Sequence, residues 1–338
     1  MSRPTPELLA ERTFAAHDLM QAHPPVWKDK NKQALYAYST PEGTHHEGEL
    51  YYSRWRALPL PSLFAVEGDI HFEAREDIFG YEPLPEGDTT IEWYLNFAHQ
   101  RLFIAYKSGL MAQDEMQVAE HPALGSLREA LVHDGEEPLT VEDGVATPVL
   151  IMGVERRCSI DTTPCPEREG RLYGLYGHRF GRASQEAVLD ATTLLTPPTR
   201  SNILAMEAPP VLRGGLYKPE EISFIFQTAW SGFSAARTLS ERRGAEGAKV
   251  VIHTGFWGCG AYGGSRELMA LLQLLAARFA GVDGLVFHTF DHAGMEDYED
   301  ALEVYHTLVP VGGDEIECQV LLDKIAKMKF AWGESDGN

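Results

Sequence analysis

His253-Thr254-Gly255-Phe256-Trp257-Gly258-Cys259-Gly260-Ala261-Tyr262-Gly263-Gly264 is the stretch on which the reading of this chain turns. Before it, Val250-Val251-Ile252 is a short apolar run of β-branched residues; after it, Arg266 to Ala280 is strongly apolar over a helical length. The order is strand, glycine-rich turn, helix. Five glycines in the ten positions from Gly255 to Gly264 open backbone conformations closed to other residues and let a ligand come close. Successive N–H groups in such a turn form a concavity for anions, and the following helix adds free N–H groups and the positive end of its dipole. The guest such a site takes is a phosphate or diphosphate, with Trp257 and Tyr262 placed to wall the pocket or stack on a ring. The turn fits neither the P-loop nor the dinucleotide fingerprint. Taken alone it leaves a second reading open, in which the glycines only let strand and helix pack closely.

Working outward, Leu285-Val286-Phe287, Asn202 to Met206, Pro148 to Met152 and Ile91 to Phe97 read as strands. Pro219 to Leu239 reads as a helix with proline in its first turn, and Met111 to Val118 as the start of another. Strands alternating with helices predict an α/β fold, a mixed and largely parallel sheet with helices on both faces. Pro4 to Gln21 has the spacing of an amphipathic helix, and His23 to about Pro61 reads as helical or irregular accessory chain. Asp69 to Gly87 and Asp134 to Asp143 read as acidic loops, and Cys158 to Thr199, rich in Pro, Gly, Ser and Thr, as a long functional loop. Asp291 to Asp300 reads as an exposed helix face, Asp314 to Phe330 as a closing helix, and Trp332 to Asn338 as a frayed tail.

The 338 residues carry a formal net charge of -21, from 50 acidic against 29 basic side chains, which repels nucleic acid and anionic lipid at long range. No direct DNA binding and no membrane association are expected. A local anion site built from backbone N–H groups remains compatible with that charge, because its effect is short-ranged. Four irregularly spaced cysteines suit free thiols in a reducing compartment. No secretory signal pattern and no apolar run of roughly 18 residues is visible, so the expected location is cytoplasmic.

The quoted turn resembles the Ala-Thr-Gly-Asn-Trp-Gly-Cys-Gly-Ala-Phe-Gly-Gly turn of the poly(ADP-ribose) glycohydrolases, which wraps the diphosphate of ADP-ribose. Leu268 to Ala277, His288-Thr289-Phe290, Asn202 to Ala208 and Ala229-Trp230-Ser231-Gly232-Phe233 resemble further blocks of that family. The resemblance implies a macrodomain-like core over 91–309, an N-terminal accessory segment over 1–90 and a C-terminal helix and tail over 310–338. It places Gly258, Cys259, Gly260, Ala261, Tyr262 and Gly263 around the diphosphate, and Phe290 and Tyr176 beside adenine. Asn96-Phe97-Ala98-His99 and, further on, Gln113-Asp114-Glu115 fall in register with the family's catalytic loop. By that register Glu115 takes the catalytic position, Asp114 and Gln113 orient riboses, and Asn96 and His99 belong to the ligand site. The family's three loop glycines are Phe103-Ile104-Ala105 here, which implies a loop pushed outward or a filled space.

Cleaving a ribosyl bond passes through an oxocarbenium-like state and needs a carboxylic acid to protonate the leaving oxygen. The expected activity is therefore a glycosidase-type ADP-ribosyl hydrolase without cofactor or metal, acting on ADP-ribose or an ADP-ribosylated substrate. The glycine replacement supports an alternative, a catalytically inactive module that binds ADP-ribose or a nucleotide. Asp and Glu in a first helical turn also serve simply as dipole partners. Tyr176 also reads as part of a surface turn, Phe290 as a core aromatic, and His253 as satisfying a local hydrogen bond. His45-His46 with Glu47 and Glu49 reads as a solvated loop, and Cys259 as either an acidified thiol or a packed one.

Overall fold

The computed structural model describes residues 4–66, 68–85, 87–209, 214–309 and 315–337. In chain order the elements begin with β1 (Leu8–Ala15), α1 (Ala16–Ala22), α2 (Lys30–Ser39), β2 (Glu49–Trp55), β3 (Leu63–Ala65), β4 (His71–Arg75) and β5 (Ile91–Phe97). Then come α3 (Gln113–Glu120), α4 (Ala123–His133), β6 (Val141–Glu142), β7 (Val145–Ala146), β8 (Val149–Ile160), α5 (Arg179–Arg182) and α6 (Gln185–Asp190). The chain continues through β9 (Thr192–Met206), α7 (Pro219–Arg243), β10 (Val250–Gly255), α8 (Arg266–Ala280), β11 (Gly284–His288), α9 (His292–Leu308), β12 (Glu315–Glu317) and α10 (Cys318–Lys327).

One eight-stranded sheet runs in the order β1-β2-β8-β9-β5-β10-β11-β4. From β9 to β4 every neighbouring pair is parallel, whereas β1, β2, β8 and β9 pair antiparallel. Alternate residues of the central strands go to opposite faces, as the pleat requires. Trp93 and Leu95 of β5 and Leu204 and Met206 of β9 enter a core with α7, α8, α9 and α10. Tyr94, Ile203 and Ala205 enter a second core with α1 and α4. The helix α8 is sandwiched between α7 and α9 and buried almost all round. Its ends are written in the sequence: Ser265 Oγ accepts the Leu268 N–H at 3.4 Å, and Gly281 closes the helix with φ 70°.

Several expectations are corrected. Pro4 to Gln21 is not one helix: Leu8, Leu9 and Phe14 belong to the edge strand β1, followed by the short α1. Residues before Ile91 supply β1, β2 and β4 to the main sheet, so this part of the chain is built into the core rather than attached to it. The stretch Asp69 to Gly87 holds β4, and Cys158 to Thr199 holds the end of β8, the helices α5 and α6 and the start of β9. The strand expected at Pro148 to Met152 runs on to Ile160 past an irregularity at Gly153, φ 77°. His46 is buried against Glu155, with Nδ1 to Oε2 at 2.8 Å, and is not solvated. Asp314, the expected start of the closing helix, lies outside the described residues, and α10 begins at Cys318.

Trp55 on β2 is fully buried and its Nε1–H donates to Ser53 Oγ at 2.9 Å. Trp55→Ala is expected to cost about 3–5 kcal/mol of stability in denaturant unfolding. A loss below about 1 kcal/mol would show that the N-terminal strands are dispensable to the core.

Candidate functional site

The parallel strands β5, β10 and β11 end side by side at Phe97, Gly255 and His288, and a cleft of about 900 Å³ opens there. The carboxyl ends of parallel strands are where α/β sheets place ligand crevices. Gln113 locks the start of α3 to this rim. Its Oε1 accepts the Phe97 N–H at 2.8 Å and its Nε2 donates to the Leu95 carbonyl at 2.9 Å.

Within the glycine turn, Trp257 N–H donates to Gly255 O at 2.7 Å, Cys259 N–H to Phe256 O at 3.0 Å, Gly263 N–H to Gly260 O at 3.0 Å and Gly264 N–H to Gly258 O at 2.8 Å. The N–H groups of Gly258, Gly260, Ala261 and Tyr262 make no hydrogen bond within the turn. Gly258 has φ 77°, and a Cβ there would meet the Ala208 Cβ at 2.5 Å. The turn therefore demands glycine at Gly258 on both conformational and steric grounds. Trp257 is not a pocket wall. It is buried, and its Nε1–H donates to Met206 O at 3.0 Å, pinning the turn to the end of β9. Tyr262 is turned toward Glu207, its hydroxyl 3.2 Å from Oε1, and does not line the cleft. Burial raises the Cys259 thiol pKa, which removes the acidified-thiol reading.

The tail is not frayed. Gly333 N–H donates to Gly263 O at 2.9 Å, Ser335 Oγ to Ala261 O at 2.7 Å and Asp336 N–H to Gly260 O at 3.3 Å. Trp332 stacks on Tyr217 with ring centroids 4.0 Å apart. Ala331, Gly333, Glu334 and Asp336 thus wall the cleft beside the glycine turn. The sequence carries no strong pattern for this, because two of the three bonds to the turn are made by main-chain N–H groups, which do not depend on side-chain identity.

Phe290 is 58 % exposed and lines the cleft, so it is no core aromatic. Its backbone is left-handed, φ 72°, and its N–H donates to Asp77 O at 3.1 Å. A bulky residue held there stores strain that a ligand contact can justify. Tyr173, 68 % exposed, and Tyr176, 37 % exposed, line it too. Gln113, Cys259 and Gly260 also line it. So do residues that sequence reasoning missed: Asp77 and Phe79, Gln117, the buried ion pair of Arg156 Nε with Glu120 Oε2 at 2.9 Å, Arg179 and Arg266. His253 does satisfy local hydrogen bonds, with Nδ1 3.0 Å from His288 Nε2 and Nε2 3.2 Å from Glu92 Oε1.

Asp114 and Glu115 sit under the cleft floor, 7 % and 3 % exposed, flanked by Gln113 and Met116, which reach it. Asp114 Oδ1 accepts from Asn96 Nδ2 at 3.1 Å, and Asn96 is fully buried. Glu115 Oε2 accepts the Ala112 N–H at 3.1 Å, a helix-start bond. Burial raises the pKa of Asp114, and the neighbouring Glu115 charge raises it further. Burial raises Glu115 as well, opposed by the charge of Lys32. His99 is not brought to the cleft; its Nδ1 accepts the Arg101 N–H at 3.0 Å on the surface.

The loop Phe103-Ile104-Ala105 does not fill the cleft. Phe103 keeps a left-handed backbone, φ 55°, of the kind glycine favours, and its ring is fully buried in the core with Leu102, Tyr106 and Leu127. None of the three residues lines the cleft.

Residues 173–297 match the family model described as Poly (ADP-ribose) glycohydrolase (PARG), Macro domain fold. Among solved structures, the poly(ADP-ribose) glycohydrolase of Thermomonospora curvata is 17% identical, with 86% of this chain and 85% of that chain covered and a TM-score of 0.44. The Deinococcus radiodurans glycohydrolase in complex with ADP-ribose is 14% identical, covering 87% and 95%, TM-score 0.44. The Oceanobacillus iheyensis macrodomain with MES bound is 14% identical, covering 66% and 88%, TM-score 0.37. The resemblance read from the glycine turn is borne out by the family model, which takes in Tyr176, the turn and Phe290. The macrodomain-like α/β class is borne out by the same model and by the mixed sheet. Gln113 to Glu115 precede the matched segment.

A buried acid whose folded pKa is raised stabilises the protein below its ordinary value, about 4, and that contribution is lost as pH rises toward the folded pKa. Wild type is therefore expected to lose stability between about pH 5 and pH 8 in guanidinium unfolding, and Asp114→Asn to lose less. Equal losses for the two proteins would contradict the assignment of a proton to Asp114.

Proposed function

We propose that this chain is an ADP-ribosyl hydrolase similar to the poly(ADP-ribose) glycohydrolases, cleaving a ribosyl O-glycosidic bond by glutamate acid/base catalysis. The observation that carries the reading is one of placement. Gln113, which opens the helix bearing the carboxyl pair, and the turn after β10 follow neighbouring parallel strands and meet at one rim of one cleft, with Asp114 and Glu115 directly next to Gln113 in sequence and buried under the floor. The N–H groups of Gly258, Gly260, Ala261 and Tyr262, unbonded within the turn, are the donors for the diphosphate, and Phe290 and Tyr176 flank adenine. Gln113, at the rim, meets a ribose hydroxyl, while Asp114 acts from beneath through Asn96.

Glu115 is the acid/base. Its raised pKa keeps a proton on the carboxyl closer to neutral pH than an exposed glutamate manages. In the first step the bond from the anomeric carbon to the leaving oxygen breaks, and that oxygen takes the Glu115 proton. A water molecule then adds to the anomeric carbon and returns a proton to the Glu115 carboxylate. The backbone amides bind the phosphates without adding formal charge, which suits a chain of net charge -21.

The ligand is ADP-ribose or an ADP-ribosylated substrate, and DNA is not a direct partner. Among the described residues no helix is long and apolar enough to cross a membrane. The four free cysteines fit a reducing, cytoplasmic location.

Glu115→Gln is expected to slow release of ADP-ribose from an ADP-ribosylated protein by roughly 10²–10⁴-fold, with ADP-ribose affinity by calorimetry within about threefold of wild type. Phe290→Ala is expected to weaken ADP-ribose binding about tenfold through loss of ring stacking. Undiminished turnover by Glu115→Gln would end the catalytic assignment, and absent ADP-ribose binding by wild type would end the ligand assignment.

A further inference from the structure

His288, two residues before Phe290, belongs to a line of four hydrogen-bonded side chains that the proposed chemistry has not used. Glu92 Oε1 lies 3.2 Å from His253 Nε2, His253 Nδ1 lies 3.0 Å from His288 Nε2, and His288 Nδ1 lies 2.6 Å from Asp77 Oδ1. The line crosses four neighbouring strands, with Glu92 on β5, His253 on β10, His288 at the end of β11 and Asp77 just after β4. Both imidazoles are buried. Tyr94 stacks on His253 with ring centroids 4.4 Å apart, and Phe79 meets His288 edge-on at 4.9 Å. Asp77 ends the line at the cleft, and its carbonyl accepts the N–H of Phe290, whose backbone is left-handed.

The three contacts set a proton count. A neutral imidazole carries one N–H, so two neutral rings bring two protons to three contacts. If the outer nitrogens donate to the carboxylates, His253 Nδ1 and His288 Nε2 face each other as two acceptors. Any other arrangement of two protons sets a ring lone pair against a carboxylate. The line closes only with a third proton, as one imidazolium between two carboxylates. Burial lowers the His288 pKa and positive charge on His253 lowers it further, which leaves the third proton on His253. Burial works against a charge on Glu92, yet its bond with His253 holds the carboxyl below its ordinary range, so the acid does not keep that proton. The other ionisable groups around the line are Arg75 and Glu73 of β4, paired at 2.7 Å, and Tyr94 of β5, whose hydroxyl donates to Glu92 Oε2 at 2.9 Å. Tyr81 and Glu82 come from the loop after β4.

We infer that His253 and His288 are positioning residues for Phe290: a proton shared through them holds Asp77, and with it the carbonyl that fixes the Phe290 ring for ADP-ribose. The inference rests on the reading of Phe290 as the ring that stacks on adenine. As pH rises the third proton leaves, and two acceptors are left face to face. His288 relieves that repulsion by turning or shifting, and either movement disturbs its bond to the half-exposed Asp77 carboxylate.

The test measures ADP-ribose affinity of the full chain by calorimetry from about pH 6 to about pH 9, across and above the ordinary histidine range. Beside it, NMR follows the ring nitrogens and the protection of the Phe290 amide from hydrogen exchange. Wild-type affinity is expected to fall with rising pH by up to about tenfold, the loss set for removing the Phe290 ring. Protection should fall over the interval in which the rings lose their proton. His288→Asn, whose side-chain N–H replaces the Nδ1 donor to Asp77, should lose the part of both changes that the histidine pair causes. Asp114 and Glu115 are the same in both proteins, so the difference between the two reports the pair alone. If His288→Asn does not fold, Asp77→Ala, at an exposed position, should bind more weakly than wild type at pH 6 and show a flatter profile. Equal pH dependence of affinity in wild type and variant overturns the inference. If wild type binds no ADP-ribose, the ligand reading fails by itself, and Phe290 protection that follows the ring titration in wild type but not in the variant still upholds the positioning role. Protection that ignores the ring titration overturns it.

Discussion

The side chain of Gln113 does the work of a missing strand. β5 pairs with β10 only from Ile91 to Tyr94, and with β9 from Tyr94 to Phe97. Beyond Tyr94 the edge of β5 toward β10 would present open main-chain groups in the interior, a costly arrangement. Gln113 supplies an acceptor for Phe97 N–H and a donor for Leu95 O, the pair of bonds that one residue of a parallel neighbour would make. The two strands can then part at their carboxyl ends. The opening between them is the cleft, and the same side chain that permits it fixes where α3 starts. The buried carboxyls Asp114 and Glu115 follow in sequence, so their distance from the glycine turn is set by a backbone constraint.

How much of this was legible in the sequence depends on whether a residue's role was local. The turn from Gly255 to Gly264 and the helix framed by Ser265 and Gly281 could be read because their conformations require those residue types. The runs at Ile91, Val250 and Leu285 are buried on both faces, and continuous apolar strands announce themselves. β1 was hidden because it is an edge strand with Glu11, Arg12 and Thr13 along it, running straight into the helical Ala16–Ala22. The second half of β8 was hidden because its interior holds charge: Arg156 is buried beside Glu120 and under Tyr81, and such pairing is invisible until the fold brings those residues together.

Phe103 shows a further limit of reading residue identity as geometry. Three glycines in the resembling family suggested that bulk at these positions would alter the loop. What the loop requires is a left-handed backbone at Phe103, and an L-residue can adopt that at some cost. Burying the ring fully beside Leu124 and Leu127 offsets the cost, since an aromatic side chain gains well over 1 kcal/mol on leaving water. The ring of Phe103 therefore lies in the core and takes no space in the cleft.

The charge of the chain fits this arrangement. With a net charge of -21, long-range attraction contributes nothing favourable to capturing a diphosphate. Glu334 and Asp336 even add acidic side chains to the wall beside the turn. The proposed phosphate site would rely on short-range donors, the turn's amides together with Arg179 and Arg266 in the cleft wall, and Trp257 holds the turn in place by anchoring it to Met206 O from the buried side. It follows that selectivity in such a site comes from which amides face the cleft, and a polyanion without a compact diphosphate gains little from approaching it.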